Sequence, residues 1–431
     1  MADGFYRRPS DGRRFQRFRC RHCRRRFSTR TFAADYWLRR RDLLPRIAQF
    51  ASEGPGLRQM ARLLDVTHAT VGGQLARAGR HCLLYHQEVI AGRPIREPLV
   101  IDGFETFEYS QFFPFHLNLA VGEESWFLYH FTDSPLRRKG AMTPAQKRRR
   151  DVLESTLGRP DPKAVESGVV ELLRSLLPRW ADEPGDRDPS VPAGPLLHSD
   201  DHPAYPRALR RLRKEGLGRS LHHQVTSSTA RRTTSNPLFP VNLADLLLRH
   251  SQASHRRETI AFSKRRQGAL ERLAVFTVWR NVIKKRREKR GGLTTAMAAA
   301  VLDRPLRWPE VFGARKFPRR QFLPGPWWTY YWRRVKDPGA GGPANRTPVA
   351  VRVLGRVWRF TPSSDPHQTP DLAGSRSGQG SAATPDRPSF GLYHQFSGHN
   401  LMVARRRFLA RAASSHDSFS NPKLANFNDR R

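Results

Sequence analysis

The chain has 431 residues, 77 of them Lys or Arg and 38 Asp or Glu, with a formal net charge of +39 and an isoelectric point near 11.5. This excess indicates a polyanionic partner, most simply nucleic acid, and leaves a basic, non-catalytic binding protein as an alternative. No apolar run approaches the roughly 20 residues of a membrane span, and the Arg-rich start lacks the apolar region of a signal peptide. We therefore expect a soluble, cytoplasmic, nucleoid-associated protein with no membrane partner.

Residues 1–35 are rich in Arg, with interleaved Phe and Tyr, and they contain Cys20 and Cys23 in the stretch FRCRHCRRRF. In a reducing compartment a C-x-x-C pair indicates metal rather than a disulfide, and two thiolates supply half of a tetrahedral Zn²⁺ site. Residues 1–19 contain no Cys or His for the other half. The segment therefore predicts a partial zinc ribbon with an incomplete zinc site, and His22 is expected on the surface.

Residues 36–92 predict a small helical domain. The helical periodicity falls into three helices, at Leu43–Phe50, Leu57–Leu64 and Thr67–Leu84, with Thr67 as the N-cap of the last. The spacing of the second and third matches a helix-turn-helix, whose second helix enters the major groove of DNA. A packing module without DNA contact would have the same pattern. If the motif is real, the residues facing DNA are His68, Thr70, Gln74 and Arg77.

From residue 97 to about residue 290 strands alternate with helices. Three successive strands (Leu99–Phe107, Phe115–Val121 and Ser125–Thr132) precede a basic insertion at 134–164, and helix, strand, helix, strand and helix follow. This is the element order of the ribonuclease H fold, an α/β fold with a mixed five-stranded sheet and flanking helices. In that fold the first and fourth strands are neighbours. Asp102 and Asp200, each directly after an apolar strand segment, are therefore expected to meet where their strands end.

Carboxylates at neighbouring strand ends, with a further oxygen ligand on a helix, suit Mg²⁺ or Mn²⁺. Phosphodiester chemistry on DNA uses two such ions about 4 Å apart. Asp102 would bridge both ions and Asp200 would hold one, while the adjacent Asp201 points to the other side; a helix N-cap is the alternative role of Asp200. The third ligand stays open between Asn242 and Asp245, which are three apart on one predicted helix and share a face.

The remaining segments are basic, then aromatic, then poor in aliphatic residues. Lys264, Arg265 and Arg266 are expected to neutralise DNA phosphates, with a solvated charged face as the alternative. Residues 291–335 form a C-terminal extension, whose aromatic cluster Pro324–Trp332 we expect to pack on the domain rather than stack on bases. Residues 336–431 are rich in Pro, Gly, Ser and Thr, which predicts a disordered tail.

These motifs together resemble bacterial insertion-sequence transposases of the DDE superfamily, in the group with an N-terminal zinc ribbon, a helix-turn-helix and a ribonuclease H-like catalytic core. The resemblance rests on FRCRHC with FSTRTF, LRQMARLLDVTHATVGGQLARAG, VIDGFETFE, SDDHPAY, and NLADLLLR followed by ETIAFSKRR, over roughly residues 18–283. The family's two acids map onto Asp102 and Asp200, and its aromatic onto Tyr205. Asn242 stands where the family usually has Glu, and some relatives use Asn as the third ligand.

The resemblance implies a DNA transposase that cuts phosphodiester bonds at element ends and transfers the strands to target DNA, with two Mg²⁺ or Mn²⁺ ions. Its partners would be double-stranded DNA and further copies of the chain, as a homodimer or higher oligomer. Two alternatives stay open. One is a catalytically inactive remnant or regulator that binds DNA through the helix-turn-helix and the basic surface, and the other is a nuclease or resolvase that shares the acids without rejoining ends.

Overall fold

The computed structural model describes residues 1–9, 12–180, 194–256, 259–287, 291–336 and 338, and the two short strands Val351–Val353 and Arg356–Trp358. The first of two compact units is Met1–Arg346. In the second, Thr347–Arg431, the two short strands pair antiparallel. The rest of the predicted disordered tail, 336–431, lies outside the described residues apart from residues 336 and 338.

An antiparallel sheet of three short strands opens the chain: β1 (Ala2–Arg7), β2 (Arg14–Arg19) and β3 (Arg26–Ser28). Phe18 and Phe27 face each other across β2 and β3 and stack, with ring centroids 5.5 Å apart. Arg14 covers the ring of Phe5 at 4.0 Å. Aromatic rings under guanidinium groups thus replace an aliphatic core in this small sheet.

Three helices follow: α1 (Leu43–Ala51), α2 (Leu57–Leu63) and α3 (His68–Ile90). Thr67 caps α3 as predicted, since its hydroxyl accepts the backbone N–H of Thr70 at 3.2 Å. The third helix runs on to Ile90, beyond the predicted end at Leu84, because its last turns are buried. His86 there bonds through its ring Nε2 to the backbone carbonyl of Tyr129 at 3.0 Å. The helices and the sheet that follows therefore share one core.

The central sheet has five strands: β4 (Leu99–Phe107), β5 (Pro114–Gly122), β6 (Leu128–Pro135), β7 (Leu196–Asp200) and β8 (His222–Thr226). Their order across the sheet is β6-β5-β4-β7-β8, with β4, β5 and β6 antiparallel and β7 and β8 running parallel to β4. The expected mixed sheet of five strands is confirmed, and its order is compatible with a ribonuclease H-like core.

One prediction about β4 is wrong. The predicted bounds of the strand, Leu99–Phe107, are confirmed, but Asp102 does not lie where the strand ends, because residues from Gly103 to Phe107 continue to pair with β5 as far as Pro114. Only β7 ends at its acid, Asp200. Asp102 therefore lies inside β4, just beyond the part of the strand that is paired with β7.

Helices flank this sheet, as predicted. The basic insertion forms α4 (Pro144–Leu157), and α5 (Ala164–Leu176), α6 (Ala204–Lys214), α7 (Phe239–Ser251) and α8 (Arg266–Val278) follow. α5 packs on β5 and β6 and against α6, while α7 packs on β4 and β5. α8 is buried nearly all round, packs along α3 and continues into one π-helical turn, Trp279–Ile283.

The C-terminal extension contains three short helices: α9 (Thr295–Ala298), α10 (Trp308–Val311) and α11 (Gly325–Tyr331). On α11, Trp327 is fully buried and donates its indole N–H to the carbonyl of Phe131 at 2.9 Å. The hydroxyl of Tyr330 donates to the carboxylate of Asp133. The expectation that this aromatic cluster packs on the domain is confirmed for these two rings. No helix in the described ranges is long and apolar enough to cross a membrane.

Candidate active site

Parallel pairing of β4 with β7 brings the two predicted acids together. Leu99 is opposite Leu197 and Val100 is opposite His198. The same register, continued along both strands, sets Asp102 beside Asp200 because parallel strands advance at the same rate per residue. Both side chains line one narrow cleft, and Asn242 of α7 lines it as well.

Two hydrogen bonds and the close approach of the β5 backbone surround Asp102. Its Oδ1 accepts the N–H of Gly103 at 2.7 Å and the hydroxyl of Tyr205 at 3.5 Å. A Cβ at Gly103 would lie 2.1 Å from the carbonyl oxygen of Leu117 on β5, so only glycine fits directly after the acid. Burial raises the pKa of Asp102 to about 6, and the nearby charge of Asp200 adds to the rise.

The consecutive acids at the end of β7 have different partners. Asp200 lines the cleft and accepts the backbone N–H of His202 at 3.0 Å. Because α6 begins only at Ala204, this bond does not cap the helix, which was the alternative role for Asp200. Asp201 instead accepts both the N–H and the hydroxyl of Ser228, each at 3.3 Å. The expectation that only Asp200 faces the cleft agrees with this arrangement.

The two candidates for a third ligand also differ. Asn242 is part of the cleft wall, whereas Asp245 is not. The Oδ1 of Asp245 is a buried oxygen for which the described part of the chain offers no hydrogen-bond partner. Burial, with the charge of Asp102 adding, raises the pKa of Asp245 well above its ordinary value, although Arg249 and Arg232 oppose this.

The donor set fits a divalent cation of the Mg²⁺ or Mn²⁺ type. Two carboxylates and one amide oxygen line the same cleft, and hard oxygen donors are what these ions prefer. Asp102 has a raised pKa next to a second acid, which is the condition that a bound cation relieves. Within the described ranges no three His, Cys, Asp or Glu side chains form a metal-holding group. The third oxygen donor that lines this cleft with the two acids is the amide of Asn242.

Sequence reasoning missed much of the cleft wall. Besides the residues already named, the wall consists of Ser227, Ser228, Ala230, Arg232, Asn236 and Leu238. All of them belong to the segment between β8 and α7. The available signal was the run TSSTARRTTSNP, a polar stretch between a strand and a helix, which is typical of a functional loop.

The four residues of α3 predicted to face DNA are not equivalent. His68 and Thr70 are exposed at the start of the helix. Gln74 is only 8% exposed, and Arg77 donates to the backbone carbonyl of Tyr36 at 3.0 Å. The arrangement contradicts an outward-facing Gln74 because the helix turns that position into the core, and it commits Arg77 to a contact within the chain.

The three basic residues Lys264, Arg265 and Arg266 also differ in their exposure to solvent. Lys264 and Arg265 are exposed, but Arg266 is 7% exposed and pairs with the carboxylate of Asp133 at 3.1 Å. Its backbone N–H also donates to Glu108 at 2.8 Å. The prediction that Arg266 neutralises DNA phosphates is therefore wrong, because this guanidinium is the counter-charge of two acids inside the protein.

Cys20 and Cys23 lie in the turn between β2 and β3, and both are free thiols. Hydrogen bonds from the backbone and the side chain of Cys23 lower the pKa of the Cys20 thiol. No third His, Cys, Asp or Glu joins them among the described residues, so the pair remains half of a tetrahedral site. His22 is exposed, as predicted.

No family model matches the chain, and no curated protein does. Among solved structures, it is similar to a chain of the simian T-cell lymphotropic virus intasome in complex with PP2A regulatory subunit B56 gamma, with 13% identity and a TM-score of 0.21. The match covers 50% of this chain and 59% of that chain. A similarity this low carries no argument about fold or function.

Proposed function

We propose that this protein is the DNA transposase of an insertion sequence, with a ribonuclease H-like core that cleaves phosphodiester bonds at element ends and transfers the strands. The observation that carries the proposal is that Asp102 and Asp200 line one cleft from neighbouring parallel strands. Paired acids at such a position are suited to metal-assisted phosphoryl transfer. The net charge of +39 supports DNA as the substrate.

Asp102, Asp200 and Asn242 would hold Mg²⁺ or Mn²⁺. When bound, two such ions activate the attacking oxygen and stabilise the leaving oxygen of a phosphodiester. The chain's own residues prepare this site. Tyr205 and the N–H of Gly103 fix the orientation of the Asp102 carboxylate, and the fixed orientation reduces the cost of bringing reactants into line.

DNA contact is proposed for surfaces outside the cleft as well. α2 and α3 are separated by a short turn, and as a helix-turn-helix they would bring His68 and Thr70 to the DNA. Lys264 and Arg265 are exposed cations that would track phosphates. Cys20 and Cys23 would supply the two thiolates of a partial zinc ribbon. Cleavage and joining of paired ends would need at least a dimer on DNA.

A second function is a DNA-binding regulator or remnant that does not cut. Two observations favour it: the third residue of the cleft is a neutral amide, which binds a cation less tightly than a carboxylate, and the cysteine pair is an incomplete zinc site. A nuclease that cuts without joining is the third possibility.

The experiment is a cleavage and joining assay on DNA from the ends of the element, with the full chain and Mn²⁺. Asp102→Asn and Asp200→Asn are expected to bind DNA but to lose cleavage, because each keeps the side-chain volume and removes one charge. Glu105→Gln is the matched control, since it makes the same change at an exposed position of β4.

Asn242→Ala and Asp245→Asn then identify the third ligand, and Asn242→Ala is expected to lose cleavage. Cleavage with joining by the parent supports a transposase. Cleavage without joining indicates a nuclease. A parent that binds element ends and never cuts contradicts the catalytic proposal and leaves the regulator.

A further inference from the structure

Hydrogen bonds hold the loop formed by residues 227–238 on both sides of Arg232. On one side, Ser228 donates its N–H and its hydroxyl to Asp201, each at 3.3 Å. On the other, Asn236 donates its side-chain amide to the carbonyl of Arg231 at 2.9 Å and accepts the N–H of Leu238 at 2.8 Å. This polar loop is therefore tied to the end of β7 before Arg232 and is closed by its own hydrogen bonds around Arg232.

Arg232 lines the same cleft as Asp102 and Asp200, yet it is exposed to solvent. Burial raises the pKa of Asp102 and of Asp245, and the positive charge of Arg232 opposes that rise at both carboxyl groups. Within the described part of the chain it forms no hydrogen bond and no ion pair. An arginine beside two acids would ordinarily be drawn into an ion pair with one of them, so this guanidinium is left available for a ligand.

The chemistry of the cleft limits what that ligand can be. A phosphate that approaches Asp102 and Asp200 meets two negative charges, so it needs positive charge on its own side of the cleft. A guanidinium supplies this charge, and its planar N–H donors match two oxygens of one phosphate group. Ser227 and Ser228 line the same wall and bring no further negative charge to it.

We propose that Arg232 binds the non-bridging oxygens of the DNA phosphate that lies in the cleft, the scissile one, and so positions the strand against Asp102 and Asp200. This assignment rests on the proposed function, because it places a phosphodiester at that site. Arg232 would hold the reacting phosphate, and Asp201 would fix the loop that contains Arg232.

The test combines arginine variants with a change of charge at one phosphate. Element-end DNA is prepared with the ordinary phosphate or with an uncharged methylphosphonate at the junction where the element ends. Binding is measured by fluorescence anisotropy in the Asp102→Asn background with Mn²⁺, with and without Arg232→Ala. Arg231→Ala is the matched control, because it removes an exposed arginine from the adjacent position that is not part of the cleft wall.

We expect the methylphosphonate to weaken binding about tenfold in the Asp102→Asn protein and in its Arg231→Ala variant. With Arg232→Ala the affinities for the two DNAs should differ by no more than about twofold, because the guanidinium that binds the charged phosphate is already absent. Equal sensitivity to the methylphosphonate with and without Arg232 overturns the assignment, and so does the absence of any sensitivity in the Asp102→Asn protein.

Cleavage provides an independent readout. With Asp102 intact, Arg232→Ala is expected to slow cleavage about 100-fold, and Arg232→Lys less, because lysine keeps the charge without the planar fork. Cleavage at the parental rate by Arg232→Ala overturns the assignment. If the parent itself never cuts, the proposed function fails, while the binding comparison still decides whether Arg232 holds a phosphate.

Discussion

Glycines on α3 provide a test of how that helix is packed. At Gly79 an added Cβ would lie 2.5 Å from the carbonyl oxygen of Glu271 and 2.8 Å from its Cα, whereas at Gly73 nothing lies within 4 Å. Glycine to alanine gains about 0.8–1 kcal/mol of helix propensity at either position. At Gly79 the overlap is with backbone atoms of α8, which cannot rotate away, and overpacking costs about 1–3 kcal/mol.

We therefore expect Gly73→Ala to raise the free energy of unfolding by about 1 kcal/mol. Gly79→Ala should lower it by up to about 2 kcal/mol, which is the overpacking cost less the gain in helix propensity. Urea denaturation followed by tryptophan fluorescence measures both, with far-ultraviolet circular dichroism to check that each variant folds. The reasoning is refuted if Gly79→Ala is stabilised as much as Gly73→Ala. In that case α3 does not lie against α8 at Gly79.

Two further predictions concern charged groups. Arg266→Ala should lower the free energy of unfolding by about 3–5 kcal/mol, measured by chemical denaturation, because it leaves Glu108 and Asp133 without their cation. Lys264→Ala should leave stability unchanged. It should instead lower the salt dependence of DNA binding by about one phosphate contact, measured by binding at several salt concentrations. Since the folded-state pKa of Asp102 is raised from 3.8 to about 6, its ionisation costs stability as the pH rises through that interval. Mn²⁺ should therefore raise the Tm at pH 8 more than at pH 4 in scanning calorimetry, and a metal shift that Asp102→Asn leaves unchanged at both pH values would contradict this.

The sheet could be predicted because its strands carry local signals. Leu99–Ile101 is a short apolar run directly before an acid, and Leu196 and Leu197 begin a short strand that ends at another. The element order allows few arrangements of such strands. The meeting of Asp102 and Asp200 in one cleft follows from that order. The extent of β4 was predicted as Leu99–Phe107, which the structure confirms. The position of Asp102 inside the strand was not predicted, because Gly103 indicates a strand end locally while its pairing with Asn118 on β5 keeps it in the sheet.

Charged residues were harder to predict, because burial depends on distant partners. The run FSKRR contains three adjacent cations, and nothing local separates Arg266 from Lys264. The partners of Arg266, Glu108 and Asp133, stand more than a hundred residues earlier in the chain. The position of Arg232 in the cleft could not be predicted for the same reason, because it depends on the hydrogen bonds of Ser228 with Asp201.

Whether Asn242 or Asp245 supplies the third oxygen group at the cleft depends on how α7 packs, which the sequence alone does not show. Asn242 and Asp245 each follow a buried residue, Val241 and Ala244, so both flank the stripe by which α7 packs on the sheet. They differ in their distance from the start of the helix, and the cleft is lined from that start, by Leu238 and Asn242. Asp245 lies one turn deeper. Burial raises the pKa of nearby Tyr205, and the charges of Asp102, Asp200 and Asp245 add to that rise. The cleft is therefore lined by the amide of Asn242, while the carboxyl group of Asp245, whose pKa burial raises well above its ordinary value, lies one turn further along α7.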